Sequence, residues 1–188
     1  MAEDRVTTAI PIPLEPLQTL VSAIHFATDK HRQQRRKDAD ETPYINHPLS
    51  LLHLLVTEGS VTDPATLCAA VLHDTIEDTE TTEAELYHHF GQEIASVVME
   101  VSDDKNLPKT EQKRLQIEHA PHISERAKLV KLADKICNLR DLLTTPPVDW
   151  PSERKLAYFH WASEVVDGIR GAHPKLEELF DGLMAEVG

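Results

Sequence analysis

Between Leu67 and Asp78 the chain runs from six consecutive apolar residues, Leu67-Cys68-Ala69-Ala70-Val71-Leu72, straight into His73-Asp74-Thr75-Ile76-Glu77-Asp78. A helix that is apolar on every side belongs in a protein interior. The stretch therefore predicts a buried helix whose C-terminal end carries one imidazole and three carboxylates to the rim of the core. At about 100° per residue, positions 73, 74, 77 and 78 fall within roughly 140° of one another on a single face. Carboxylates withdrawn from water cost several kcal/mol each, and the negative end of a helix dipole adds to that cost. A bound cation would offset both. A Glu-Asp pair by itself reads as a solvated acidic helix end before a turn; the adjoining His-Asp pair turns the reading toward a metal.

With 188 residues the chain suits one domain, large enough to bury a continuous core without disulfides. Residues 1–13, with Pro11 and Pro13, read as an N-terminal tail, and 14–188 as the folded unit. A net charge of −13 argues against a surface built to neutralise nucleic-acid phosphates or to lie on anionic lipid. The sequence offers no long apolar segment for a membrane span, and Met1-Ala2-Glu3-Asp4-Arg5 lacks the pattern of a signal peptide. A soluble, cytoplasmic protein is expected. Cys68 and Cys137 each sit in an apolar helical stretch and read as reduced packing residues.

The fold class expected is all-α, a single compact bundle of about eight to ten helices. The first is expected from Leu14 to about Arg36. Pro43-Tyr44-Ile45-Asn46-His47-Pro48 then leads into a helix over 48–58, and Asp63-Pro64 opens one over 63–78. Thr82-x-x-Glu85 has the form of a capping box for a short helix ending near Gly91, followed by another from Gln92 to Ser102. Further helices are expected from Pro108 to His119, from Ser124 to about Leu143, and near 150–170 and 174–186. No segment reads as a strand, and six glycines are too few for an all-β architecture.

The helix after Ser124 carries an apolar stripe at 129, 132, 136, 139 and 143. Asp134 lies away from the centre of that stripe, so periodicity alone reads it as a surface aspartate paired with Lys131. Arg140 falls at the stripe's edge and needs an acidic partner that the sequence does not identify. Lys30-His31-Arg32-Gln33-Gln34-Arg35-Arg36-Lys37 is unusually basic for so acidic a chain. It reads either as a solvated helix end favoured by the dipole or as a surface for a phosphate-rich substrate.

Three motifs in order, His47 within TPYINHP, HDTIEDT at 73–79 and KLADKICNLRD at 131–141, resemble an HD-superfamily phosphohydrolase. More narrowly, residues 20–185 resemble the hydrolase domain of RelA/SpoT-type alarmone enzymes, and most of all their stand-alone small alarmone hydrolases. The resemblance implies His47, His73, Asp74 and Asp134 as metal ligands, with Glu77 and Asp78 handling the hydrolytic water. Two imidazoles and two carboxylates suit manganese, which the family implies first, and also iron, cobalt or zinc. By the same resemblance Arg36 stacks on the base with Lys37 beside it, Asn138 lies near the sugar, and Lys109, Arg154 and Tyr158 face the phosphates. Stacking suits the planar guanidinium.

The implied reaction is hydrolysis of the 3′-pyrophosphate of (p)ppGpp, giving GDP or GTP and pyrophosphate. With the chain ending at Gly188, no room is expected for a synthetase domain. Cys137 stands where the pattern has a larger residue, which leaves the nucleobase side open. Rival readings are a hydrolase of (p)ppApp or of the 2′-phosphate of NADPH, or a sensor that binds alarmone without turnover. The other histidines, His31 and the adjacent His88-His89 among them, read as ordinary surface or packed residues, and Trp150 and Trp161 as core anchors.

Overall fold

The computed structural model describes residues 14–187 and, among them, nine α-helices and no strand: α1 (Leu14–Lys30), α2 (Asn46–His53), α3 (Pro64–Leu72), α4 (Thr75–Asp78), α5 (Glu83–Val101), α6 (Lys109–His119), α7 (Glu125–Thr144), α8 (Ser152–Asp167) and α9 (Pro174–Ala185). The all-α expectation holds. The tail expected over 1–13 lies outside the described residues. Among those residues no helix is long and apolar enough to cross a membrane.

Helix α3 lies at the centre of the bundle. Asp63 caps it, its carboxylate accepting from the Thr66 amide at 2.9 Å and from the Thr66 hydroxyl at 2.6 Å, with Pro64 in the first turn. Every residue from Ala65 to Leu72 is buried, as an all-apolar surface requires, and α1, α2, α5 and α7 pack around it. Leu51, Leu55, Val71, Leu86, Val98, Leu132, Ile136 and Phe180 fill the same continuous core. Both cysteines are free and buried within it.

The helix expected to run on to Asp78 stops at Leu72. His73 and Asp74 form a turn, with Asp74 at φ −94° and ψ −2°, and α4 starts afresh at Thr75. This sparsely populated backbone region is common at active sites. The Thr75 hydroxyl donates to the Leu72 carbonyl at 2.7 Å and takes up one of the acceptors freed by the break.

Three other boundaries differ from expectation. Helix α1 ends at Lys30 rather than near Arg36, because residues 31–44 fold back on themselves. The Arg36 amide donates to the Thr42 carbonyl at 2.8 Å and the Tyr44 amide to the Gln34 carbonyl at 3.1 Å. Asp38 closes the loop by accepting from the Thr42 amide and hydroxyl. The helix after His53 widens into a π-turn over Leu54–Glu58. The expected division at Gly91 is a kink inside α5, where φ is +77°, a conformation open to glycine and costly for other residues.

Helix α7 is more enclosed than a single apolar stripe suggests. Val130, Lys131, Ala133, Lys135 and Cys137 are buried along with Leu132, Ile136 and Leu139, because α2, α3, α5, α8 and α9 surround the helix. This overturns the reading of Asp134 as a surface aspartate paired with Lys131. The Arg140 partner is Glu58, held through two bonds of 2.7 and 2.9 Å, and the π-turn supplies that partner.

Candidate metal centre

Three separate segments meet at one end of α3. The loop folded back after α1 delivers His47 to the first turn of α2, the break after α3 presents His73 and Asp74, and α7 contributes Asp134. Ligand atoms of His47, His73 and Asp134 lie within 4.8 Å of one another, the one such group among the described residues. His47 Nε2 is 3.2 Å from Asp134 Oδ1, and His73 Nε2 is 3.8 Å from the same oxygen. Asp74 lies outside that tightest group but turns Oδ2 toward it, 2.9 Å from His73 Nε2 and 3.9 Å from His47 Nε2. All four residues line one cavity of about 130 Å³, together with Tyr44, Glu77, Gln116, Lys131 and Asn138.

The donor set fits a divalent metal. Nδ1 of His73 lies 2.9 Å from the Ala70 carbonyl, which assigns the proton to Nδ1 and leaves the Nε2 lone pair facing the carboxylates. That Nε2 is buried and makes no hydrogen bond, and a bare buried ring nitrogen beside carboxylates suits a metal ligand, while His47 turns its Nε2 to the same cluster. Two nitrogens and two oxygens are the mixed set that first-row divalent ions accept.

The electrostatics agree. Burial opposes a charge on His73, but the carboxylates of Asp74 and Asp134 and the Ala70 carbonyl outweigh it and raise the imidazole to about 9. Burial likewise works to raise Asp134, and the Lys135 ammonium with His47 and His73 overcomes it, holding that carboxyl well below its usual range. Asp74 is depressed too, against its burial, chiefly by His73. In the absence of metal, a proton on His73 thus balances part of the acidic charge, and a divalent ion would displace it.

Several residues shape this site that sequence reasoning missed. The Tyr44 hydroxyl donates to Asp74 Oδ2 at 2.5 Å. Lys135, almost fully buried, donates to Asp134 Oδ2 at 2.9 Å and to Gln116 Oε1 at 3.2 Å, and it rests over the Trp161 ring at 4.3 Å. Asn138, expected at the site on the sugar side, also donates to the other Asp134 oxygen at 2.6 Å. The TPYINHP motif contained Tyr44, but nothing in its spacing marked a hydroxyl aimed at a ligand. Lys135 was masked by its position beside a presumed surface aspartate.

The two acids expected to handle water part company. Glu77 lines the metal cavity, where its Oε1 accepts from the Asp103 amide at 2.6 Å. Burial, with Asp103 and Asp74 close by, raises its carboxyl to about 7. Asp78 lines the adjoining cleft of about 380 Å³ and accepts from Gln34 at 2.8 Å.

That cleft also brings together Arg36, Lys37, Lys109, Asn138 and Tyr158. Arg154 lies in the next hollow, which shares Arg36 and Lys37 with it, and the Arg154 guanidinium sits 4.3 Å from the centre of the Trp150 ring. Five of the six residues expected to meet substrate thus line the cleft beside the metal cavity, and Arg154 lies in the hollow next to it. Arg36 is held there by Asp141 at 2.5 Å, with Asn138 Oδ1 at 3.4 Å. His88 and His89 meet edge to face and line neither cavity. Trp150 and Trp161 pack partly buried against the core, in keeping with their reading as anchors.

The chain is similar to known proteins in sequence and in fold. The HD domain family profile matches residues 23–157. A protein of Xenopus tropicalis described as guanosine-3′,5′-bis(diphosphate) 3′-pyrophosphohydrolase MESH1 is 56% identical over 169 residues, spanning 90% of this chain and 94% of that one. The Homo sapiens protein of the same description is 53% identical over the same shares. A solved structure described as a metazoan ortholog of SpoT that hydrolyzes ppGpp and plays a role in starvation responses superposes with a TM-score of 0.90. It is 44% identical and covers 96% of this chain and 99% of its own. With its metal-binding signature, its helical fold and these relatives in agreement, the chain belongs to the HD domain family and, within it, to the family of the MESH1 pyrophosphohydrolases.

Proposed function

We propose that this chain hydrolyses the 3′-pyrophosphate of (p)ppGpp, yielding GDP or GTP and pyrophosphate, with one divalent metal held by His47, His73, Asp74 and Asp134. The observation that carries the reading is the convergence of two imidazoles and two carboxylates beside a cleft lined by cationic side chains. The activity named for relatives more than half identical supports the same substrate class. Manganese is the metal proposed first, with iron, cobalt and zinc compatible with the donor set. When bound, the ion supplies Lewis-acid polarisation of the 3′-diphosphate and makes a neighbouring water more acidic.

The chain's own residues account for the rest. Glu77, with a carboxyl near 7, is matched to accept a proton from water at neutral pH. Asp78, at the mouth of the cleft, orients that water toward the phosphorus bonded to the 3′-oxygen. The water oxygen forms the new bond as the bond from phosphorus to the 3′-oxygen breaks, and the 3′-oxygen leaves as a hydroxyl after taking up a proton. Arg36, Lys37, Lys109 and Arg154 balance phosphate charge, with the planar Arg36 head suited to stack on the base. Asn138, touching both Asp134 and Arg36, stands between ion and nucleoside. Residues 14–188 act as one catalytic unit, and a nucleotide substrate with two unpaired cysteines suits a cytoplasmic site of action.

A nucleotide panel tests the reading: pure protein with manganese is incubated with ppGpp, ppApp and NADPH, and products are identified chromatographically. GDP with pyrophosphate from ppGpp is expected. Tight binding with no turnover would replace the enzyme with a sensor, and release of phosphate from NADPH alone would move the substrate class.

A further inference from the structure

His31 has no part in the chemistry above, yet it is buried to 1% exposure. Its two ring nitrogens have different surroundings. Nδ1 lies 2.6 Å from Gln34 Oε1, whereas Nε2 is buried with no hydrogen-bond partner. Leaving a buried N–H bare is costly, so the proton belongs on Nδ1, which donates to Gln34. That bond fixes the polarity of the Gln34 amide. With Oε1 engaged by His31, the NH2 end faces the opposite way, and there Nε2 donates to Asp78 Oδ2 at 2.8 Å.

The surrounding contacts hold the pair in place. The Gln34 amide donates to the His31 carbonyl at 2.9 Å, and the Gln34 carbonyl accepts from the Tyr44 amide at 3.1 Å. The His31 ring stacks against Tyr44 with centroids 4.9 Å apart. Around them four cations of the basic run make contacts elsewhere: Lys30 with Glu85, Arg32 with Asp29, Arg35 with backbone carbonyls and Arg36 with Asp141. In so cationic a stretch, the side chain that reaches Asp78 is an uncharged one. A neutral donor orients a carboxylate without the loss of basicity that an adjacent ammonium or guanidinium imposes.

We propose that Gln34, its amide oriented by His31, is a positioning residue that holds the Asp78 carboxylate in the attitude needed to direct the hydrolytic water. The proposal rests on the role given to Asp78 under Proposed function. Without the His31 donor the amide can turn over and set its oxygen against Asp78, placing two acceptors face to face.

The test compares Gln34→Leu, His31→Phe, Asp78→Ala and the double variant Gln34→Leu/Asp78→Ala. Exposed Gln33→Leu is the control, and kcat, KM for ppGpp and bound manganese are measured for each. Gln34→Leu is expected to lower kcat by roughly 10- to 100-fold, with KM and metal content near wild type. His31→Phe should shift kcat the same way, and the double variant should be no slower than Asp78→Ala alone. Gln34 is half-buried and outside any helix, so its truncation remains readable even if His31→Phe fails to fold. Wild-type kcat in Gln34→Leu, a raised KM with kcat intact, or a full further loss in the double variant would each overturn the proposal. Wild-type turnover by Asp78→Ala would instead remove the role given to Asp78. An inactive Asp78→Ala beside a fully active Gln34→Leu would remove this inference alone.

Discussion

His47 Nε2 meets Asp134 Oδ1 at 3.2 Å although 87 positions separate them in the chain. Their meeting point is where metal and fold become linked. His73→Ala and Asp134→Ala should each lower bound manganese from near one equivalent toward zero by elemental analysis. Chelation should lower the melting temperature of the wild-type protein but leave that of the variants unmoved. Stoichiometric metal in either variant would break the proposed ligand set.

Asp78→Ala should keep both metal and melting temperature while losing on the order of 100-fold or more in kcat, since Asp78 sits on the cleft side of α4 rather than among the ligands. Glu77→Gln should also retain metal and lose turnover. Wild-type rates in both variants would leave the hydrolytic water without a protein partner.

The pH dependence of stability should differ between metal-free and loaded protein. His73 is raised from 6.5 to about 9, so its contribution is complete below 6.5 and is lost as pH climbs through 9. Glu77 is raised from 4.5 to about 7, and here too the folded state holds a proton that the unfolded chain has shed, so stability falls over that interval. Metal-free protein should therefore lose stability as pH rises from 4.5 to about 9, by an amount on the order of a few kcal/mol. Manganese, which binds the deprotonated ligands, should flatten or reverse the trend. Calorimetric scans with chelator and with manganese check this, and a metal-free melting temperature that rises across the range would contradict it.

Arg36→Ala should raise KM for ppGpp by roughly 10-fold or more while manganese binding stays unchanged, because the planar cation proposed to stack on the base is lost and no proposed ligand is removed. Arg36→Lys should recover little of the loss, since lysine retains the charge without the flat face. Steady-state kinetics with metal titration separates the two effects.

Arg140→Ala should lower unfolding stability by about 1 kcal/mol and leave turnover intact. The two-point ion pair with Glu58 is about one third exposed and joins the π-turn to α7 away from the cleft. Denaturant melts beside an activity assay test this.

Helix α3 and its acids were legible in the sequence because an all-apolar run has one physical solution, the interior. Asp134 was not, because its burial comes from neighbours on the far side of α7 that periodicity along one helix does not report. The motif resemblance placed it at the metal site where spacing alone did not. Arg140 announced its need for an acid, but Glu58 lies 82 residues away on a turn of unusual width. The end of α1 was misplaced because helix-favouring residues 31–36 are overruled by hydrogen bonds to 42–44 that form only on folding. Tyr44, Lys135 and Gln34 act through hydrogen bonds of specific geometry, and composition carries no trace of those.

The turn at His73 and Asp74 settles a problem that an uninterrupted helix cannot. Consecutive side chains on a continuous spiral diverge by about 100°, whereas here both face His47. A mutation that straightened this corner, for instance by removing the Thr75 hydroxyl that ties back to Leu72, would swing Asp74 aside with every donor atom still encoded. Loss of cation affinity by that route would look, in an alignment, like a harmless change.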